Sequence, residues 1–186
     1  MLQSKTRLKK FIPFIISGII FVFGRYVLEL FPEKSNPLQG LVPIFLQFNS
    51  MLINTLNLGT ATVKDNILFL SGDHGPFTLQ VFWPSLAIHL IITYAAIILV
   101  FLFAMNITRK RKITYLVLGI IGTIGANMIR IFILSLFALK VTTNIQSFEA
   151  FHGKLEYMTF LPWLVIYLIV IYKIELSRKQ KMQLPT

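Results

Sequence analysis

Arg109-Lys110-Arg111-Lys112 runs without a break into ITYLVLGIIGTIGANMIRIFILSLFAL, residues 113–139. As a helix those 27 residues extend about 40 Å, more than the ~30 Å of a bilayer's hydrocarbon core. Four cations at the start fix the orientation: Lys and Arg beside a span stay on the cytoplasmic side. Within the run a single residue, Arg130, is charged. This segment reads as a transmembrane helix that enters from the cytoplasm.

Three further apolar segments suit the same reading: Phe11 to Phe31, Ser85 to Met105 and Tyr157 to Ile174. The expected fold class is therefore all-α integral membrane, a single polytopic domain over 1–186 with four spans (11–31, 85–105, 113–139, 157–174) and an outer-face insert at 32–84. Composition points the same way. The chain is 55% hydrophobic with mean hydropathy +0.73, more apolar surface than a small soluble domain can bury. Its formal charge of +11 is not a nucleic-acid footprint, because 12 of its 18 Lys and Arg flank the apolar runs, in clusters at 5–10, 109–112 and 173–181. With both termini cytoplasmic all three clusters share one side, and six of the seven acidic residues fall at or beyond the other. The N-terminal run is too long for a signal peptide and lacks a small-residue cleavage site, so it is expected to be retained.

Leu41 to Leu56 is apolar but short and carries Gln47, Asn49, Ser50 and Asn54. A fifth span there would force the 109–112 cluster outside, so it is expected to be an interfacial or re-entrant helix, started at Pro37 and stopped at Gly59. From Thr60 to Trp83 the pattern turns strand-like. Two strands are expected around Ser71-Gly72-Asp73-His74-Gly75-Pro76, forming a short β-hairpin on the outer face. Such a hairpin must lie outside the hydrocarbon, where an open strand edge is tolerated.

This topology gathers polar residues in one outer layer. Ser85 opens the second expected span, His152 precedes the fourth, and Arg130 lies 18 residues beyond Lys112, about 27 Å along a helix. A guanidinium in an apolar helix is costly enough to mark function or anchoring. Asn127, three residues earlier on the same face, is placed to share its cavity. Arg25, by contrast, has Glu29 at i+4 as an ion-pair partner. Glu149 lies one helical turn before His152 and is placed to fix its tautomer. His89, four residues after Ser85, is a rival base or an interhelical hydrogen-bond donor, and His74 is a solvated turn residue. Three scattered histidines, no cysteine and no paired acidic ligands argue against a metal site, and no cofactor is indicated.

In order, the chain shows Asn36-Pro37-Leu38, Leu58-Gly59, Asn66-Ile67-Leu68, Val81-Phe82-Trp83-Pro84-Ser85-Leu86-Ala87-Ile88, Asn127-Met128-Ile129-Arg130-Ile131 and His152-Gly153. This succession, from about Asn36 to Pro162, resembles the exosortase/archaeosortase family of membrane-embedded transpeptidases. The resemblance implies an outer-face cysteine–arginine–histidine site that cuts a C-terminal sorting signal (a short motif, a spanning helix and a basic tail) from exported precursor proteins. An acyl-enzyme then passes its cargo to a membrane-lipid or envelope acceptor. The implied catalytic residues here are Ser85, Arg130 and His152, supported by Asn127, Glu149 and His89; the partners are the precursors and the acceptor, with no nucleic acid.

Serine stands where the family has its cysteine, and an alcohol is much the weaker nucleophile without a placed base. Three readings stay open: an engineered replacement, a natural serine nucleophile, and a relative that kept the fold and lost the activity. Outside this class, the alternative is a non-catalytic subunit of a larger membrane assembly. A transporter fits less well, since no paired Gly/Pro-broken segments appear.

Overall fold

The computed structural model describes residues 15–19, 21–24, 26, 37–82 and 88–183, with backbone alone at 37, 38, 88, 89 and 181–183. A 3-10 turn (Pro37–Leu41) leads into α1 (Val42–Thr55), and three strands follow, β1 (Thr60–Lys64), β2 (Ile67–Gly72) and β3 (Gly75–Gln80). Helices α2 (Ile88–Ala104), α3 (Arg109–Lys140) and α4 (Ile145–Gln183) complete the described chain.

The expected fold class needs two corrections. Among the described residues two helices, not four, are long and apolar enough to cross a membrane: α3 and the stretch Ile145–Gln180 of α4. The described part of α2 has 17 residues, about 26 Å of rise, and residues 85–87 of the expected 85–105 span lie outside the described residues. Ile15–Gly24 is a shorter apolar helix, and of the rest of the expected 11–31 span only Tyr26 is described. The second correction is a three-stranded antiparallel sheet, ordered β1-β2-β3, in place of the two-stranded hairpin. Residues 60–69 looked like one strand, yet Asp65 (φ 55°) and Asn66 form a tight turn that pairs Lys64 with Ile67. Asp and Asn tolerate positive φ, which is why a two-residue hairpin turn falls there. The helix expected at 41–56 is present as α1, and its buried residues Val42, Leu46 and Ile53 pack into the sheet's core.

Two cores lie along α3. In the first, Ile131, Leu134, Ala138 and Leu139 of α3 meet Leu68, Leu70 and Val81 from the sheet region together with Phe148 and Leu155 of α4. In the second, Tyr115 and Ala126 of α3 meet Ile98 and Leu102 of α2 and Phe160, Leu164 and Ile171 of α4. Outward, these helices remain apolar: 33% of the α3 stretch and 22% of the α4 stretch are buried, whereas a soluble core helix would be mostly buried. Ile121 and Ile129 on α3 and Leu161, Ile166 and Ile169 on α4 are exposed, an apolar surface of the kind a bilayer covers.

Arg–Glu pairs tie α3 to α4 at two levels. Arg111 meets Glu175 at 3.1 Å and Arg130 meets Glu156 at 3.2 Å. Nineteen residues separate the two pairs on each helix, about 28 Å of rise, close to the hydrocarbon thickness of ~30 Å. Neither helix carries Asp, Glu, Lys or Arg between them, over 113–129 and 157–172. Glu175, 3% exposed, also accepts hydrogen bonds from Tyr115 Oη (2.6 Å) and Arg178 (3.1 Å). This network brings the 109–112 cluster and the basic end of α4 to the same end of the helix pair.

Close approach of α3 and α4 depends on Gly122. A Cβ there would lie 2.0 Å from Cζ2 of Trp163, whose ring is fixed by its Nε1 donating to Thr123 Oγ1 (3.2 Å). Gly122→Ala is expected to destabilise the protein by about 1–3 kcal/mol through overpacking, read as a lower melting temperature in detergent.

The β2–β3 turn is fastened to the end of α3. Lys140 Nζ donates to Asp73 at 2.9 Å, and the His74 ring meets the Lys140 carbonyl at 3.0 Å. The hydrogen-bonded Lys140 ammonium holds the Asp73 carboxyl below the usual carboxylate range. A depressed folded value means the contact's support is complete above the ordinary carboxylate pKa of about 3.9 and is lost as pH falls through the folded value. Both groups are well exposed, so the predicted signature is spectroscopic: in Lys140→Gln the NMR titration midpoint of Asp73 rises toward its ordinary value, with little change in melting temperature at neutral pH.

Candidate functional site

A cavity of ≈ 510 Å³ opens where the sheet meets α3 and the start of α4; its lining includes residues 76–81, Arg130, Glu149 and His152. The volume is within the range of ligand pockets. Two residues expected to act together, Arg130 and His152, therefore share one wall space although 22 positions separate them.

Each side chain is placed by its element. Arg130 is buried (2% exposed) on α3 at the junction of the two cores, its guanidinium 5.8 Å from the Phe160 ring centroid and paired with Glu156. Stacking on an aromatic face and pairing with a carboxylate both offset the cost of burying this permanent charge. His152 sits in the second turn of α4, one turn after Phe148, with ring centroids 6.4 Å apart. Phe148 in turn meets Phe77 of β3 at 4.9 Å, and Phe137 of α3 stacks on Phe151 at 4.1 Å. These aromatic contacts clamp the first turns of α4 to both the sheet and α3, which positions the imidazole. His152 is within electrostatic range of Arg130, Glu149 and Glu156.

The remaining expected residues divide. Glu149 is exposed and lines the cavity on the His152 side of α4. Asn127 is fully buried but does not line it, and neither amide atom has a hydrogen-bond partner among the described residues; an unpaired buried amide costs about 1–3 kcal/mol. Ser85 lies outside the described residues, and for His89 the backbone alone is described, as the second residue of α2. Among the described residues no group of three His, Cys, Asp or Glu is arranged to hold a metal ion.

Glu156 was not among the residues expected from sequence. The signal was present: a lone arginine in an apolar helix requires a counter-charge, and Glu156 is the acidic residue nearest the matching depth on the neighbouring helix. A strand around Phe77, Leu79 and Val81 was expected, but not that residues 76–81 wall a cavity with Arg130 and His152.

No family model matches the chain, and neither does any curated protein or solved structure.

The Arg130–Glu156 pair couples α3 to α4 where Arg130 lines the cavity. In a cycle of Arg130→Gln, Glu156→Gln and the double variant, the double variant is expected to be more stable than the sum of the single losses by about 0.5–3 kcal/mol. Additive losses in thermal melts would show that the two side chains stand independently.

Proposed function

We propose that the protein is an exosortase-like transpeptidase or protease that acts on exported precursors anchored by a C-terminal helix. The observation that carries this reading is the shared cavity: a buried arginine, a histidine and a strand whose last lining residue, Val81, precedes Ser85 by four residues, at most about 14 Å of chain. Sequence order supports it too, since Val81 to Ile88, Asn127 to Ile131 and His152-Gly153 are the segments that resemble the family.

The proposed chemistry assigns one task to each group. The side chain at 85 attacks the scissile carbonyl and forms an acyl-enzyme, His152 takes the nucleophile's proton and returns it to the leaving amine, and Arg130 stabilises the oxyanion. A nucleophile on a lipid or envelope acceptor, or water, then releases the acyl group. The setting is the cell membrane. The basic end of the α3–α4 pair faces the cytoplasm, by the positive-inside bias, and the cavity faces the extracytoplasmic side.

One observation favours a second reading. The Glu156 pair and Phe160 contact explain Arg130 as a helix–helix tie, which suits a non-catalytic subunit of a larger membrane assembly.

Ser85→Cys in the full-length membrane protein separates the two. Incubated with exported precursors ending in a motif, an apolar helix and a basic tail, it is expected to cleave them at the outer end of the helix. His152→Ala in that background is expected to cut the rate by about 10²–10⁴, and Arg130→Ala by a similar factor. Absence of cleavage with Ser85→Cys, at protein levels equal to the unaltered chain, supports the subunit.

A further inference from the structure

Six consecutive residues of one strand and its exit, 76–81, line the cavity. A strand seen from one face contributes alternate residues, because successive side chains point to opposite sides. Here the two sets differ in burial: Phe77, Leu79 and Val81 turn toward the core, while Pro76, Thr78 and Gln80 are exposed. A cavity wall that takes both sets runs along the strand's edge.

Among the described residues, main-chain groups along that edge have no partner. β3 pairs with β2 alone, from Gly72↔Gly75 to Ile67↔Gln80. In an antiparallel ladder the main-chain groups of successive residues point alternately toward and away from the partner strand. The phase is set by Val81, whose N–H donates to the Asn66 carbonyl (2.9 Å) and whose carbonyl accepts from Asn66 Nδ2 (3.2 Å). Residues 77, 79 and 81 therefore face β2, and the N–H and C=O groups of Thr78 and Gln80 point outward, beside the cavity. Pro76 fits this phase: proline, which has no N–H to donate, is tolerated in a strand where that position faces away from the ladder.

The opposite edge of the same sheet is capped at Ala61. On β1 the Ala61 N–H donates to Asn54 Oδ1 (2.8 Å), and the Ala61 carbonyl accepts from Asn54 Nδ2 (2.8 Å) and Ser50 Oγ (2.7 Å), both side chains of α1. Proteins commonly cover, charge or bulge an edge to prevent unwanted pairing. Here α1 caps one edge, whereas β3 is uncharged along its length, GPFTLQ, and no hydrogen bond to its outward groups is recorded among the described residues.

We infer that the β3 edge is a docking track that takes an extended peptide by strand addition, with the end of that peptide delivered to Arg130 and His152. The occupant follows from the chemistry of the edge: donors and acceptors alternating at the two-residue period of a strand are matched by another extended backbone. Six residues at about 3.3 Å each give room for a peptide segment of similar length. Main-chain bonds hold it with little regard to sequence, and selectivity falls to side chains that reach Gln80, Glu149 and the Arg130–His152 end. The inference rests on the peptide-processing reading for its choice of substrate and on the edge geometry for the mode of binding.

Proline scanning of the edge tests it. The full-length protein in nanodiscs is exposed to a pool of random-sequence nonapeptides, and retained peptides are quantified by mass spectrometry. The same pool with every backbone nitrogen methylated serves as the control. Retention of the unmodified pool and loss of the methylated one are expected. Thr78→Pro and Gln80→Pro, which remove outward donors and leave the β2 ladder intact, are expected to lower retention at least tenfold without changing the melting temperature. Thr78→Ala, which keeps the donor, is expected to retain peptides as before. Equal retention by Thr78→Pro, equal losses for Thr78→Ala and Thr78→Pro, or an effect of Thr78→Pro on self-association alone would each overturn the inference. Its fate is separable from that of the proposed activity. Peptide held along β3 but never cleaved by Ser85→Cys leaves the track standing and removes the transpeptidase. Precursor cleaved equally with and without Thr78→Pro does the reverse.

Discussion

The antiparallel contact of α3 with α4 is the constraint on which the other parts of this protein depend. Two Arg–Glu pairs about 28 Å apart fix the register of one helix on the other. A slip of one turn would move both arginines off their carboxylates at once. Exposed ion pairs contribute little to stability, but Arg130 and Glu175 are each almost fully buried, where losing a partner is far more costly than forming the pair is favourable. The pairs therefore act chiefly by penalising the wrong register. Between them the helices approach closely enough that Gly122 has no room for a Cβ against Trp163.

From that register the site inherits its geometry. α3 is shared by both cores, so a side chain at their junction is held from above and below. Arg130 occupies that junction. Next to it and one turn further along α3, Ile131 and Leu134 support the sheet, and the sheet places β3 against the opening turns of α4 through Phe77 and Phe148. His152 thus owes its position to three elements that meet because α3 and α4 are in register.

Sequence reading recovered the parts governed by long-range periodicity and charge. The apolar length of α3 and α4 follows from hydropathy and rise per residue, and the basic residues at 109–112 and 173–181 lie toward the same end of the pair. It failed where a local backbone choice decides. The apolar run Ser85–Met105 reads as a span, whereas its described part, Ile88–Ala104, is shorter than one. Asp65-Asn66 reads as a polar interruption in one strand and is instead a hairpin turn, which divides that strand into β1 and β2. Glu156 escaped notice because the residues around Arg130 were sought on its own helix, while the counter-charge came from the next one.

Arg130 is the residue on which the structural and chemical readings compete, and they need not exclude each other. A guanidinium has five N–H donors in a rigid fork. Pairing to Glu156 through Nη1 fixes the plane of the group and its depth while the same residue lines the cavity. An oxyanion is best stabilised by a donor that does not have to reorganise when charge develops. The ion pair that ties α3 to α4 therefore also supplies the rigidity such a donor requires. In the proposed mechanism Glu156 would lower the net charge facing the scissile carbonyl, a cost to electrostatic stabilisation, and in return would hold the fork in one orientation. Glu156 itself lies one helical turn beyond His152 on α4 and outside the cavity lining.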